Sequence, residues 1–197
     1  MTLDSPPYLI VPGLGNSGPG HWQSHWQAEL PRARRLEQAE WERPRLADWL
    51  PRAIAAIEAV PGAVLVAHSL GCVLTAHVAA ARPDLDIAGA LLVAPADVEQ
   101  RGRAPDFLAD FAPVPRDALP FPAIVVASRN DPYMDFGRAC DWAGRWGARV
   151  VDAGPAGHIN VASGHGAWAA GRALLAELAP PRRRAGAAAR LAAGVPA

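Results

Sequence analysis

The pattern around Ser69 is typical of a nucleophilic serine. The apolar run Ala63–Ala67 precedes it and a helical stretch follows, so the serine stands at a turn between a strand and a helix. A turn this sharp brings the residues two positions before and after the serine almost into contact, so both must be small. Ala67 and Gly71 meet that demand, although glycine is commoner at the first position. We interpret Ser69 as a nucleophile; the alternative is a serine that only caps the helix.

A serine hydroxyl is a weak nucleophile and needs a base, which a carboxylate in turn orients. At a strand–serine–helix turn of this kind, the acid and then the histidine follow the serine along the chain. Asp131 and Asp97 each come just after an apolar run, and we favour Asp131 while keeping Asp97 as the alternative. His158 lies in a glycine-containing loop after the last apolar run. It is the predicted base, because its competitor His165 falls too close to the final helix to reach back.

Two backbone N–H groups are expected to stabilise an oxyanion beside the serine. The Leu70 N–H at the start of the helix is the first, and the second comes from the loop after the first strand. In that loop we favour the Leu14 N–H, with Gly15 as the alternative. The same loop spells G-x-G-x-x-G over residues 13–18, which is also a dinucleotide-binding fingerprint. Pro19 would remove a donor from the phosphate-binding turn, so dinucleotide binding is the weaker interpretation.

Alternating strands and helices must position these residues. Apolar runs predict strands at Tyr8–Val11, Ala33–Glu37, Ala63–Ala67, Ile87–Val93, Ala123–Ala127 and Arg149–Asp152. Helical stretches lie between them, at Pro19–Leu30, Arg45–Val60, Leu70–Ala81, Asp135–Trp146 and Gly166–Leu178. Continuous apolar runs are typical of strands buried on both faces of a parallel sheet. The sequence therefore predicts a doubly wound α/β architecture, with the site at the carboxyl ends of the strands.

Composition limits the remaining possibilities. The chain has 197 residues, enough for one domain. We place that domain at residues 1–179 and expect residues 180–197, rich in arginine and alanine, to be a mobile tail. The 19 acidic residues balance the 19 basic ones, which argues against a basic nucleic-acid surface. All the basic residues other than histidine are arginine, so lysine Schiff-base chemistry is excluded.

The sequence shows no signal peptide and no membrane-spanning run, and we expect a cytoplasmic protein that binds no membrane. The six histidines and two cysteines have no metal-ligand spacing. We therefore expect neither a metal nor a cofactor, and the chemistry must come from side chains and the backbone.

In combination, these motifs resemble those of the small serine hydrolases related to retinoblastoma-binding protein nine and its bacterial relatives. The similarity spans about residues 8–179 and rests on Val11–Gly13, Ser17–Gln23, His68–Gly71, Asn130–Pro132, Gly157–Asn160 and Ser163–Trp168. It implies a compact α/β-hydrolase fold with strand order 2-1-3-4-5-6 and a triad on Ser69, Asp131 and His158. The L-x-C-x-E motif of retinoblastoma-pocket binding is not matched, because residues 70–74 read LGCVL; we do not expect that partner.

Residues beside these motifs are candidates for contacts with a substrate. His21 and Trp22 follow the oxyanion loop and are expected to line the site, although Trp22 and Trp26 also have the spacing of a core face. Phe107 is expected to wall the acyl pocket; the alternative is that it packs on the sheet edge. Residues 96–121 are too few and too rich in proline for a large lid, with one helical segment around Asp106–Phe111.

The sequence thus predicts a serine hydrolase that cleaves a small carboxylic ester, with an amide or a thioester as alternatives. An acyltransferase would use the same residues. Two interpretations from other classes stay open: a non-catalytic protein-binding module on the same scaffold, and a dinucleotide-binding oxidoreductase. The expected partner is a small-molecule acyl substrate, and nucleic acid is not expected.

Overall fold

The apolar runs form a six-stranded sheet in which every pair of neighbouring strands is parallel. The structure, a computed structural model, describes residues 5–100, 102 and 105–178. Its strands are β1 Tyr8–Val11, β2 Ala33–Arg35, β3 Ala63–His68, β4 Ile87–Val93, β5 Ala123–Ala127 and β6 Arg149–Asp152. The spatial order is β2-β1-β3-β4-β5-β6, which confirms the predicted order.

Helices provide the crossovers that a parallel sheet requires. The α-helices of the described residues are α1 Trp22–Glu29, α2 Leu46–Glu58, α3 Leu70–Ala81, α4 Phe136–Arg145 and α5 Ala169–Leu178. Two short 3-10 helices, Asp106–Phe111 and Val161–Ser163, lie in the connections after β4 and β6.

The packing on both faces of the central strand β3 explains why its sequence is apolar without interruption. Val64 and Val66 pack with α1 and α5 side chains on one face of the sheet. Leu65 and Ala67 pack with side chains of α2, α3 and α4 on the other face. Neighbouring side chains of a strand point to opposite faces, so two apolar layers bury the strand completely. The core consists of these two layers, and the loops at the carboxyl ends of the strands are left to form a site.

Some predicted boundaries shift where a cap or a strained residue intervenes. Helix α1 begins at Trp22 rather than at Pro19, because the His21 side chain caps it by accepting a hydrogen bond from the Gln23 N–H. Helix α5 begins at Ala169 rather than at Gly166, directly after Trp168, whose φ of 39° does not fit a right-handed helix.

The connection after β4 carries no large lid, as predicted. Within its described residues, the 3-10 helix Asp106–Phe111 is the one helical segment. The tail predicted at residues 180–197 lies outside the described residues. None of the helices in the part of the chain that the structure describes is long and apolar enough to cross a membrane.

Candidate active site

Ser69 stands at a strained turn between β3 and α3. Its φ of 57° and ψ of −122° lie in a region that side-chain-bearing residues rarely adopt, and such strain persists only where the surroundings hold it. The Ser69 N–H donates to the Val93 carbonyl at 3.0 Å. On the other side of the turn, a Cβ on Gly71 would lie 2.3 Å from the Val11 carbonyl oxygen. The close approach of β1 therefore requires glycine at position 71.

Ser69, His158 and Asp131 lie in one continuous series of hydrogen bonds. His158 Nε2 is 2.9 Å from Ser69 Oγ, and His158 Nδ1 is 3.0 Å and 2.9 Å from the two Asp131 oxygens. The Tyr133 N–H donates to Asp131 Oδ1 at 2.9 Å and fixes the carboxylate. Both the His158 and the Asp131 side chains are buried. This arrangement can move a proton from the serine to the imidazole while the carboxylate stabilises the resulting cation.

The alternative acid, Asp97, is engaged elsewhere. It is completely buried, and its Oδ2 lies 2.6 Å from Arg138 Nε. Its Oδ1 accepts hydrogen bonds from the Glu99 and Gln100 N–H groups. Asp97 thus holds the turn after β4 and pairs with α4, away from His158.

The alternative base, His165, does not reach the serine. Its Nδ1 lies 3.1 Å from Ser163 Oγ, and its ring meets the Trp168 ring edge-on with 6.1 Å between centroids. The structure therefore brings His158, and not His165, to Ser69.

The loop after β1 packs directly against the serine turn. A Cβ on Gly13 would lie 2.9 Å from the His68 carbonyl oxygen and from Ser69 Cβ. The Gly15 N–H donates to the Trp41 carbonyl at 2.9 Å, so it is already used. Among the described residues, neither the Leu14 nor the Leu70 N–H has a hydrogen-bond partner. This geometry favours Leu14 over Gly15 as the second oxyanion donor.

A cavity of about 270 Å³ opens beside Ser69 and His158. Its wall combines aliphatic side chains with uncharged polar ones: Leu14, Leu70, Ala96, Pro105, Leu108, Asn16, His21, His68, Tyr133 and Asn160. The Tyr133 ring meets the His158 ring edge-on, with 4.6 Å between centroids. None of the described lining residues is an aspartate, glutamate or arginine. The cavity is therefore suited to a small group without formal charge.

Two residues predicted to contact the substrate lie outside this cavity. Trp22 is fully buried, and its indole N–H donates to the Ile159 carbonyl at 2.8 Å. Phe107 packs against the core with the Arg43 guanidinium over its ring, 5.0 Å from the centroid. In a 3-10 helix, side chains three positions apart share a face, so Leu108 and Phe111 point inward together and Leu108 takes the place expected for Phe107. His21 does line the cavity, as expected.

Gln23 is a structural residue of the site that the sequence did not reveal. It is completely buried, and its amide donates to the carbonyls of Val11 and Val66 at 3.2 Å and 2.8 Å. Its Oε1 accepts a 2.5 Å hydrogen bond from Ser17 Oγ. Gln23 thus ties the loop after β1 to strands β1 and β3. A glutamine beside Trp22, on the face of α1 that packs on the sheet, was the available signal.

Arg35 holds the same loop from β2. Its guanidinium donates to Asn16 Oδ1 at 2.6 Å and to the Ser17 carbonyl at 3.0 Å. A further hydrogen bond reaches Ser24 Oγ at 2.8 Å. The loop conformation at the cavity therefore depends on an edge strand as well as on Gln23.

His68 and His21 are neutral rings next to the catalytic candidates. Burial, with the nearby His158, lowers the pKa of His68 well below its usual value. The neutral ring donates through Nε2 to the His158 carbonyl at 2.9 Å. Burial, followed by the charge of Arg35, lowers the pKa of His21 to about 4. Both histidines therefore stay uncharged near neutral pH, and His68 fixes the loop that carries His158.

Comparison with known proteins agrees with this geometry. Residues 8–177 match the family described as serine hydrolase. A structure described as a YdeN-like hydrolase from Pectobacterium atrosepticum is 36% identical, covers 88% of this chain and 92% of its own, and superimposes with a TM-score of 0.78. The ydeN gene product of Bacillus subtilis is 21% identical, with a TM-score of 0.73 over 88% of this chain and 98% of its own.

A more distant neighbour shows how far the fold extends. Thermogutta terrifontis esterase 2, in a form phosphonylated by cyclosarin, is 17% identical over 92% of this chain and 88% of its own, with a TM-score of 0.64. At that identity the likeness shows the fold alone. No curated protein matches the chain. The neighbours establish the predicted α/β-hydrolase fold.

Proposed function

This chain belongs to the serine hydrolase family, and on that premise we propose that it cleaves small, uncharged carboxylic esters through an acyl-enzyme on Ser69. The observation that carries the proposal is the unbroken series of hydrogen bonds from Ser69 Oγ through His158 to Asp131. The strained turn at Ser69 supports it, because strain of this kind is found where a nucleophile must be held clear of the sheet.

In the proposed reaction, Ser69 Oγ attacks the ester carbonyl carbon as His158 Nε2 takes the hydroxyl proton. Asp131 holds His158 through Nδ1 and stabilises the imidazolium. The N–H groups of Leu70 and Leu14 bind the oxyanion. Collapse of the tetrahedral intermediate breaks the bond to the alcohol, which leaves with the proton from His158. Water, deprotonated by His158, then attacks the acyl-enzyme and releases the acid. Loss of one oxyanion donor costs about 100- to 1000-fold in rate in comparable enzymes.

The cavity supports a restricted substrate class. Its volume of about 270 Å³ suits a small acyl group, and its described lining carries no charged side chain. An anionic or cationic substituent inside it would lose hydration without an ionic partner. Esters of small neutral acids are therefore the proposed substrates, and an amide or a thioester of the same shape would meet the same groups. The proposed partner is this small molecule alone.

A fluorophosphonate probe followed by intact-mass measurement and peptide mapping tests the nucleophile. We expect one adduct on Ser69 in the folded protein, no adduct after heat denaturation, and none in Ser69→Ala. His158→Ala should react far more slowly, because the base is lost. A folded wild-type protein without an adduct would contradict the proposal and favour a non-catalytic binding module on this scaffold.

A panel of p-nitrophenyl esters tests the substrate class. We expect kcat/KM to be highest for the acetate and butanoate and to fall for long acyl chains and for a succinate monoester with a free carboxylate. Preference for the anionic ester would contradict the reasoning from the uncharged wall.

A further inference from the structure

His21 presents a hydrogen-bond donor that has no partner in the described structure. Its Nδ1 accepts the Gln23 N–H at 3.2 Å and caps α1. A neutral imidazole that accepts through one nitrogen carries its proton on the other, so Nε2 bears the hydrogen. Nε2 is shielded from bulk water and has no hydrogen-bond partner among the described residues. A buried donor left unpaired in this way is unfavourable, because it has lost water without a replacement.

Neighbouring rings pack against His21, and its Nε2–H forms no hydrogen bond with any described residue. The His21 ring centroid lies 4.8 Å from that of His68 and 5.3 Å from that of Trp22. His68 donates through Nε2 to the His158 carbonyl, so its Nδ1 can accept, but it forms no hydrogen bond with His21 Nε2. The Trp22 indole carries only a donor, which is occupied by the Ile159 carbonyl. His21 is only 6% exposed, yet it forms part of the wall of the cavity at Ser69. Because His21 lines that cavity, a molecule bound there can supply the acceptor that the Nε2–H lacks.

We propose that the Nε2–H of His21 donates a hydrogen bond to a second oxygen of the substrate, beside the scissile ester. The preferred substrates are then esters in which an ether, hydroxyl or keto oxygen lies near the scissile carbonyl. This inference rests on the proposed esterase function and adds to it the chemistry that selects the substrate. A site built to bind a polar group discriminates strongly against an analogue that lacks it, because its own donor is then left unpaired.

Two pairs of nearly isosteric esters test the proposal. On the acyl side, p-nitrophenyl methoxyacetate differs from p-nitrophenyl butanoate by an oxygen in place of one methylene. On the alcohol side, 2-methoxyethyl acetate differs from butyl acetate in the same way. The measured quantity is the ratio of kcat/KM within each pair. Intrinsic reactivity differences cancel when the ratio of a variant is divided by the wild-type ratio.

Two replacements of His21 distinguish the roles of its two ring nitrogens. Asparagine is a good helix cap, so His21→Asn keeps the acceptor for the Gln23 N–H but is too short to place a donor at the Nε2 position. We expect the oxygen-over-methylene ratio of at least one pair to fall about 3- to 10-fold, the range of one hydrogen bond. His21→Gln places an amide N–H near the Nε2 position and loses the cap. It should keep more of the ratio and lower the Tm.

His25→Asn is the matched control, because it makes the same substitution one turn further along α1, at a residue outside the cavity lining. Its ratios should equal those of the wild type. If the wild type turns over the esters and His21→Asn leaves the ratios of both pairs unchanged, this inference is overturned and the esterase function stands. No turnover of any of the four esters by the wild type would overturn both.

If His21→Asn does not fold, the wild-type ratios, normalised to alkaline hydrolysis of the same esters, decide the question. A normalised preference for the oxygen-containing ester in either pair supports the inference. Equal or lower normalised values in both pairs overturn it.

Discussion

Replacing each of the two candidate acids by asparagine should separate catalysis from stability. Asp131 accepts from His158 Nδ1 through both oxygens, and its Oδ1 also accepts the Tyr133 N–H at 2.9 Å. In Asp131→Asn, the amide oxygen must stay on the Tyr133 N–H to avoid a donor facing a donor. The amide NH₂ then faces His158 Nδ1, which must become an acceptor. The proton of His158 moves to Nε2, which can no longer accept the proton of Ser69.

The expected loss in kcat for Asp131→Asn is about 10,000-fold, the size seen when a triad histidine is held in the wrong tautomer. This corresponds to about 5.5 kcal/mol in activation free energy. The fold should be retained, because asparagine has nearly the same shape and the Tyr133 N–H keeps its acceptor.

Asp97→Asn should show the opposite pattern. The substitution removes the charge that lies 2.6 Å from Arg138 Nε. The Arg138 side chain is 36% exposed and keeps its second ion pair, with Glu99. The loss is therefore smaller than for a fully buried pair, about 1–2 kcal/mol in the free energy of unfolding. We expect kcat within about threefold of the wild type, since Asp97 does not contact His158.

The assay pairs kcat on the best p-nitrophenyl ester with urea unfolding of the wild type and both variants. A 10,000-fold loss in Asp97→Asn with near-normal turnover in Asp131→Asn would move the acid to Asp97. Near-normal turnover in both variants would refute the tautomer argument altogether.

Three further predictions concern the structure around the site. Gly71→Ala should lower the free energy of unfolding by about 3 kcal/mol, because its Cβ would lie 2.3 Å from a β1 carbonyl oxygen. In Gly18→Ala, the added Cβ has no atom within 4 Å, and the free energy of unfolding should change by less than about 0.5 kcal/mol. Equal urea midpoints for Gly71→Ala and Gly18→Ala would contradict this difference. Trp22→Phe removes the indole hydrogen bond to the loop that carries His158, and kcat should fall about tenfold because His158 is misplaced; an unchanged kcat would show that the bond is dispensable. The folded-state pKa values of His21 and His68 lie below the ordinary 6.5, so the unfolded chain binds more protons between pH 6.5 and about 4. The free energy of unfolding should therefore keep its full value above pH 6.5 and fall as the pH drops from 6.5 to about 4. The urea midpoint should depend less on pH in this range when both histidines are replaced by glutamine.

The sequence predicted the central part of the fold more accurately than its edge. Strands β1, β4, β5 and β6 begin and end as the apolar runs predicted, because turns follow each run directly. Strand β2 was predicted through Glu37 and ends at Arg35. Only one side of β2 is paired, and its side chains are largely polar, so no continuous apolar pattern marks its end.

Within the site, the order of motifs along the chain indicated Ser69, Asp131 and His158, and the structure places these three side chains in contact. The choice between the Leu14 and Gly15 N–H groups was open in the sequence. The Trp41 carbonyl decides this choice by accepting the Gly15 N–H. Trp41 lies in a different segment, and nothing in the loop sequence indicates the contact. For Trp22, the i, i+4 spacing with Trp26 already offered the core position that the structure shows. The position of Phe107 depends on which side chain of the 3-10 helix faces the cavity, and the sequence did not indicate that.

Most polar groups beside the catalytic candidates form hydrogen bonds within the chain, and His21 Nε2 does not. Trp22 and His68 donate to the consecutive carbonyls of Ile159 and His158, so two buried side chains hold the loop that carries His158. Both donors are used in hydrogen bonds to the backbone, and a substrate that took either of them would free the loop that carries His158. His21 lies against both rings and its Nε2–H has no such task. This packing holds the His21 ring in place, and a donor held in place is the condition under which one hydrogen bond can distinguish an oxygen from a methylene.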